Sequence, residues 1–280
     1  MRTVHRVLDP NRLADIDGGS CALAVMTKAP RAGEVKTRLV PPLTHNEAAQ
    51  LNSSFLRDIA AAISATIGET ARSRSRRPVD GAAGSQAATE RIARGVGVYT
   101  PRGAEAAYEN ILPEEFFLIA QRGHNFGDRL IFAAEDLFKV GFASVCLVNS
   151  DSPTVPAENF LQAVELLQLP GDRTVLGPSD DGGYYLIGLK KLHREMFERI
   201  DWSTERVLDQ TLQRAAQIGV EVKLLPAGYD VDDGATLERL CSELLGENSS
   251  RGCGIAPNTR KFLANIIKQE GRGRIWPVGK

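Results

Sequence analysis

Ala143-Ser144-Val145-Cys146-Leu147-Val148-Asn149-Ser150-Asp151-Ser152-Pro153 is a short apolar run that stops at a carboxylate. Val145 to Val148 predict a strand buried on both faces, as in the middle of a parallel sheet. Asp151 falls just past its carboxyl end, and Pro153 keeps the ladder from continuing. Ligands bind along that edge in open α/β sheets. Asp151 therefore reads as a candidate ligand for a divalent ion, although the same position also suits an Asp capping a helix that begins near Pro156.

Upstream, Cys21 to Met26 form a first buried strand that runs into Thr27-Lys28-Ala29-Pro30-Arg31-Ala32-Gly33-Glu34-Val35-Lys36-Thr37-Arg38-Leu39. This loop carries Lys28, Arg31, Lys36 and Arg38, a stiffening Pro30 and a Gly33 that permits close backbone approach. A strand followed by a basic, glycine-containing loop suits phosphate binding, since N–H groups and cationic heads converge on the anion. The loop matches neither a P-loop nor a dinucleotide fingerprint, and a solvated basic loop fits the same residues.

Downstream, Ser179-Asp180-Asp181-Gly182-Gly183 links a strand at 174–178 to another at 184–189, a spacing too short for a crossover helix. One antiparallel strand is therefore expected. Val220 to Leu225 predict a further strand, which leads to a second acidic cluster, Tyr229-Asp230-Val231-Asp232-Asp233. Asp151 and Asp232 are the candidate metal ligands, with Asp230 competing for the second place. Mg2+ or Mn2+ fits such a site, because one or two carboxylates plus substrate phosphates complete its shell.

Helices fill the intervals. Thr44-His45-Asn46-Glu47 is a capping-box pattern ahead of Leu51, Phe55, Ile59, Ile63 and Ile67. Leu130, Ala134 and Leu137 mark a second helix, Phe160, Val164 and Leu167 a third, and Val207, Leu208, Leu212 and Ala215 a fourth capped by Ser203. Two more are expected near 235–245 and 259–269. Alternating strands and helices predict an α/β fold, a single three-layer α/β/α domain with a mostly parallel sheet. Residues 1–19 read as a loose N-terminal extension, 20–246 as the domain, 68–92 as a disordered Arg/Ser-rich insertion, and 247–280 as a C-terminal tail with one helix.

Bulk properties narrow the classes. The 280 residues carry a net charge of −1 and 42% apolar content, which gives a core but no basic field for nucleic acid. Four dispersed cysteines lack metal-ligand spacing and point to a reducing compartment. No apolar run approaches the roughly 20 residues of a membrane span. No signal-peptide core is found, so the expected location is cytoplasmic.

Several motifs, in order, resemble a bacterial family of GT-A-like glycosyltransferases, some members of which are linked to arsenosugar biosynthesis. They are Thr27-Lys28-Ala29-Pro30…Gly33…Val35-Lys36-Thr37-Arg38-Leu39, Gln121…Phe126-Gly127-Asp128-Arg129, Asn149 to Pro153, Gly177-Pro178…Asp180 to Gly188, Trp202 to Leu208 and Asp230-Val231-Asp232. More distantly, the basic loop and acidic–glycine turn are similar to guanylyl- and cytidylyltransferases. The resemblance covers about residues 21–245 and implies the nucleotide-diphospho-sugar transferase fold. It implies Thr27, Lys28, Gly33, Lys36, Arg38 and Arg122 at the nucleotide and its phosphates, and Asp151 on the metal. Asp180 or Asp181 becomes the candidate general base, with Gly182, Gly183, Tyr184 and Trp202 near the acceptor. Phe126 and Asp233-Gly234 depart from the usual pattern without removing a charged group.

The expected activity is glycosyl transfer from a nucleotide sugar to a small-molecule acceptor, with no nucleic-acid partner and with a homodimer admitted. Nucleotidyl transfer from a nucleoside triphosphate, releasing pyrophosphate, is the alternative. A non-catalytic nucleotide-binding protein is the third reading.

Overall fold

The computed structural model describes residues 5–75, 92–246 and 254–276. In chain order the elements are β1 (Cys21–Lys28), α1 (His45–Ser75), β2 (Ala93–Thr100), β3 (Phe117–Ala120), α2 (Phe126–Lys139), β4 (Ser144–Val148) and α3 (Ala157–Gln168). They continue with β5 (Arg173–Pro178), β6 (Tyr184–Leu189), α4 (Val207–Gln217), β7 (Glu221–Leu224), α5 (Gly234–Leu245) and α6 (Pro257–Glu270). The seven strands form one sheet in the order β3-β2-β1-β4-β6-β5-β7. Only β6 runs antiparallel to its neighbours, as the short link after β5 requires.

Strand periodicity explains the layers, because successive side chains point to opposite faces. Leu23, Val25, Cys146 and Val148 meet α1 and α3 through Leu56, Ile59, Ile63, Phe160 and Val164. Ala22, Ala24, Val145 and Leu147 face the other way, onto Leu130, Ala134 and Leu137 of α2 and Ala215 of α4. β4 is buried along its whole length, as its unbroken apolar run predicts. Thr44 and Glu47 cap α1 reciprocally: the Thr44 N–H donates to the Glu47 carboxylate at 2.7 Å, and the Glu47 N–H donates to the Thr44 hydroxyl at 3.2 Å.

Several expectations change. Helix α1 runs through Ser75, so the first part of the expected 68–92 insertion is helical, while 76–91 lies outside the described residues. The N-terminal segment is tied down over part of its length. Val7 bridges β3, Leu8 is buried, and the Leu8 N–H donates to the Leu118 carbonyl at 2.7 Å. Ser203 does not cap α4. Its φ is +65°, and Arg206 occupies the cap position. The expected helix in the C-terminal tail is α6, and it packs on the domain: Leu263 and Ile266 meet Leu51 and Phe55 of α1 and Leu237 and Leu240 of α5. Its N-terminus is capped from α1, where the buried Asp58 accepts from the Asn258 and Thr259 N–H groups at 2.9 and 2.8 Å.

β1 is the switch point of the sheet. It lies between β2 and β4, and the chain after β1 returns to β2 on one side while the chain after β4 goes on to β5 on the other, so the two loops diverge along the sheet edge at a crevice. The loops after β5 and β7 open on the same edge, since both strands run parallel to this set.

Candidate active site

The crevice brings three distant stretches together on one amine. Lys36 Nζ lies 2.7 Å from an Asp151 oxygen, 2.9 Å from an Asp232 oxygen and 2.8 Å from the Val231 carbonyl. The side chain is 5% exposed, and its amine stands 5.6 Å from the centre of the buried Phe55 ring of α1. Burial works to lower the Lys36 pKa, but the two carboxylates outweigh it and hold the ammonium above the ordinary lysine value. The backbone at Lys36 is left-handed, φ 49° and ψ 36°, at the entry of a single 3-10 turn, Thr37–Leu39. A β-carbon there costs about 1 kcal/mol, the kind of local strain that persists only where surrounding contacts over-determine it.

Asp230 stands beside this cluster and joins the loops. One of its oxygens accepts from Asn149 Nδ2 at 2.8 Å, Ser152 Oγ at 2.6 Å and Ser179 Oγ at 3.1 Å. The loops after β4 and β7 are further tied by the Val231 N–H donating to the Asp151 carbonyl at 2.9 Å. Burial pushes the Asp230 carboxyl up to about 6; Ser152 offsets part of this, and the charges of Asp151, Asp181 and Asp232 add to it. Asp230 thus acts as a half-buried knot between the loops, and Asp232 is the acid of this second cluster that pairs with Lys36. Sequence reading left these two undivided and missed Ser152 and Ser179. Their signal was a hydroxyl residue beside an acid just past a strand end in each loop.

Beside the cluster opens a cavity of about 550 Å³. Asp151, Asp181, Glu205, Asp230, Asp232 and Arg38 supply its charge, and Met26, Leu130, Leu147, Ile187 and Trp202 part of its apolar wall. Gly183 and Tyr184 also line it. Trp202 packs edge-to-face on Phe126, ring centres 5.2 Å apart. A side chain at Gly127 would meet the Trp202 indole nitrogen at 2.6 Å, so the glycine lets the ring settle on the first turn of α2. Gly182 has φ +84°, and a β-carbon there would lie 2.1 Å from the Glu205 carbonyl oxygen. The acidic–glycine turn is therefore shaped to run against the backbone of the 203–206 loop.

The sequence-derived candidates divide. Lys36, Asp151 and Asp232 converge, and Arg38, 71% exposed, reaches within 3.8 Å of Asp232. Asp181 lines the cavity and accepts from the Gly183 N–H at 2.9 Å. Asp180 instead pairs with Arg239 of α5 at 2.7 Å. Arg122 turns to α2, where it holds Asp136 through two nitrogens at 2.7 and 2.8 Å. Lys28 pairs with Glu34 at 3.5 Å across the basic loop, Thr27 is buried at the end of β1, and Gly33 has φ +78° with open space beside it.

Among the described residues, no group of three or more His, Cys, Asp or Glu side chains is arranged to hold a metal by itself. The pair that remains, Asp151 and Asp232, offers hard oxygen ligands at a crevice mouth. That donor set fits a magnesium-type ion that keeps waters and takes its other ligands from phosphates. Any such ion would share both acids with the Lys36 ammonium. No helix among the described residues is long and apolar enough to cross a membrane.

Residues 83–204, under half of the chain, match the family model described as "Uncharacterized protein conserved in bacteria (DUF2064)". No curated protein matches the sequence. Among solved structures, one from Desulfovibrio desulfuricans G20, given the provisional name nucleotide-diphospho-sugar transferase, is 27% identical. The alignment covers 90% of this chain and 98% of that one, with a TM-score of 0.68. Glucosyl-3-phosphoglycerate synthase from Mycobacterium tuberculosis, solved with Mn2+, UDP and glucosyl-3-phosphoglycerate, is 9% identical over 91% of this chain and 81% of its own, with a TM-score of 0.44. CMP:2-keto-3-deoxy-manno-octonic acid synthetase complexed with CTP is 11% identical over 81% and 99%, also at 0.44. The chain has the nucleotide-diphospho-sugar transferase fold.

Proposed function

We propose that the protein is a metal-dependent glycosyltransferase that moves a sugar from a nucleotide diphosphate donor to a small acceptor. The observation that carries this reading is the meeting of Lys36 with Asp151 and Asp232 at the switch point of the sheet, beside a cavity of about 550 Å³. The similarity to the Desulfovibrio protein over nearly the whole chain supports the same reading.

In this mechanism the diphosphate lies along the loop after β1, within reach of the exposed Arg38, while Lys36, whose ammonium is held by Asp151, Asp232 and the Val231 carbonyl, acts from behind the two acids. Asp151 and Asp232 would hold Mg2+ or Mn2+. The ion, when bound, supplies positive charge to the diphosphate as it leaves. Lys36 and Arg38 add fixed positive charge where negative charge grows, which lowers the barrier more than it tightens ground-state binding. The acceptor hydroxyl approaches from the cavity side. A bond forms from its oxygen to the anomeric carbon, the bond from that carbon to the phosphate oxygen breaks, and the nucleoside diphosphate departs. The hydroxyl proton passes to Asp181, which lines the cavity, whereas Asp180 is held by Arg239.

A thermal-shift screen of nucleotides and nucleotide sugars, with and without magnesium, tests the reading. Stabilisation by a nucleotide sugar that needs magnesium in the wild type and vanishes in Asp151→Asn is expected. Pyrophosphate release from a nucleoside triphosphate, with no response to any nucleotide sugar, would replace this reading with nucleotidyl transfer.

A further inference from the structure

The cavity beside the Lys36 cluster is unevenly charged and unevenly polar. Five acids line it, against one base, Arg38. Arg38 belongs to the loop after β1 and leans on Asp232, so it lies at the donor end. Of the acids, Asp151 and Asp232 pair with the Lys36 ammonium, and Asp232 also with Arg38. Asp181 and Glu205 have no cation among the lining residues at their end. The nearby bases are committed elsewhere: Arg206 to Asp201 at 3.1 Å and Arg239 to Asp180 at 2.7 Å.

The same cavity has an apolar wall, to which Leu130, Ile187, Val207 and Trp202 contribute. Phe126 extends the wall outward: it packs edge-to-face on Trp202 yet is 52% exposed. An exposed phenyl ring contiguous with an apolar cavity is surface that a ligand can cover. Gly127 leaves room for the Trp202 indole to pack on the first turn of α2.

From this we infer that the acceptor is an uncharged alcohol carrying an apolar ring or chain next to its hydroxyl, and not a sugar phosphate or phospho-acid. The inference rests on the transferase reading and names the chemistry of its second substrate. A phosphorylated acceptor would bring a dianion beside Asp181 and Glu205 with no basic side chain to meet it, and like charges placed together act as a selectivity filter. An uncharged acceptor meets no such repulsion. Its apolar part covers the Trp202–Phe126 ledge, and its hydroxyl lies among groups that accept a proton.

Saturation-transfer NMR on the full chain, loaded with magnesium and the nucleoside diphosphate that gives the largest thermal shift, tests this. The probes are phenyl β-D-glucoside, glucose 6-phosphate and 3-phosphoglycerate. The expected result is that phenyl glucoside binds at least about tenfold more tightly than either phosphate. Phe126→Ala, a change at an exposed position, should weaken the glucoside about fivefold. Asp181→Asn combined with Glu205→Gln should raise glucose 6-phosphate affinity at least about threefold. Tighter binding of either phosphate, or no detectable glucoside binding, overturns the inference while nucleotide binding upholds the transferase reading. Failure of every nucleoside diphosphate to bind removes that reading, and the inference with it.

Discussion

Lys36 Nζ lies 2.7 Å from Asp151 Oδ1, and the two residues come from loops on opposite sides of the sheet's switch point. A single ammonium thus closes the crevice that the strand order opens. Because Asp232 meets the same nitrogen, Lys36 bridges both acids that a metal would use and offsets one of their two charges.

Removing that ammonium leaves two acids facing each other. Lys36→Ala should cost about 2 kcal/mol of stability, less than for a fully buried pair because both acids reach solvent. Magnesium alone should raise the melting temperature of the variant more than that of the wild type, since the ion no longer competes with the lysine. Equal shifts in thermal denaturation would mean that the two cations do not share the site. Affinity for a nucleoside diphosphate should fall by at least tenfold, and affinity for the nucleoside far less.

Helix α6 depends on one carboxylate in α1. Asp58 accepts from two N–H groups, the Asn258 side chain and the Thr259 hydroxyl, all at the N-terminus of α6. Asp58→Ala should cost about 3 kcal/mol or more, because buried donors lose a charged acceptor. Amide exchange in α6 should accelerate well before global unfolding. Uniform exchange across the domain would argue against a local cap.

Gly182→Ala should disturb the acceptor side without touching a charged group. The added carbon would collide with the Glu205 carbonyl at a residue with φ +84°. A loss of at least 1 kcal/mol is expected from the backbone alone. Transfer should fall further than nucleotide binding, and a larger effect on nucleotide binding would place the turn elsewhere.

Glu47 predicts a pH dependence. Burial tends to raise its carboxyl pKa, but the Arg274 guanidinium and the Thr44 N–H and hydroxyl outweigh it and hold it below the ordinary value of 4.5. A depressed carboxylate stabilises the fold in full above its unfolded pKa and loses that contribution as pH falls through the folded one. Glu47→Gln keeps a capping side chain but lowers the charge of the Arg274 contact. The variant should be about 1 kcal/mol less stable at neutral pH. In denaturant titrations the gap should close as the pH drops below about 4, and a gap that stays constant would remove the ionic contribution.

Most of the fold was legible in the sequence because burial leaves a period. Val145 to Val148 must be covered on both faces, and Leu51, Phe55, Ile59 and Ile63 must lie on one side of a helix. Boundaries were less legible where no apolar pattern is at stake. Residues 68–75, which carry no apolar period, continue α1 by helical hydrogen bonding, and Val7 and Leu8 find β3 only through the tertiary arrangement.

The amino-acid order by itself determined the alternation of strands and helices, one antiparallel strand in the pair at 174–189, and that acids and cations follow strand ends. Those are local properties, set by side-chain periodicity and the length of the connecting chain. Tertiary structure alone decided which charged groups meet: Lys36 with Asp151 and Asp232, Asp230 beside them, Asp180 drawn to Arg239 and Arg122 to Asp136. Ion pairing depends on distance and desolvation in space, and neither is written in the spacing of residues along the chain.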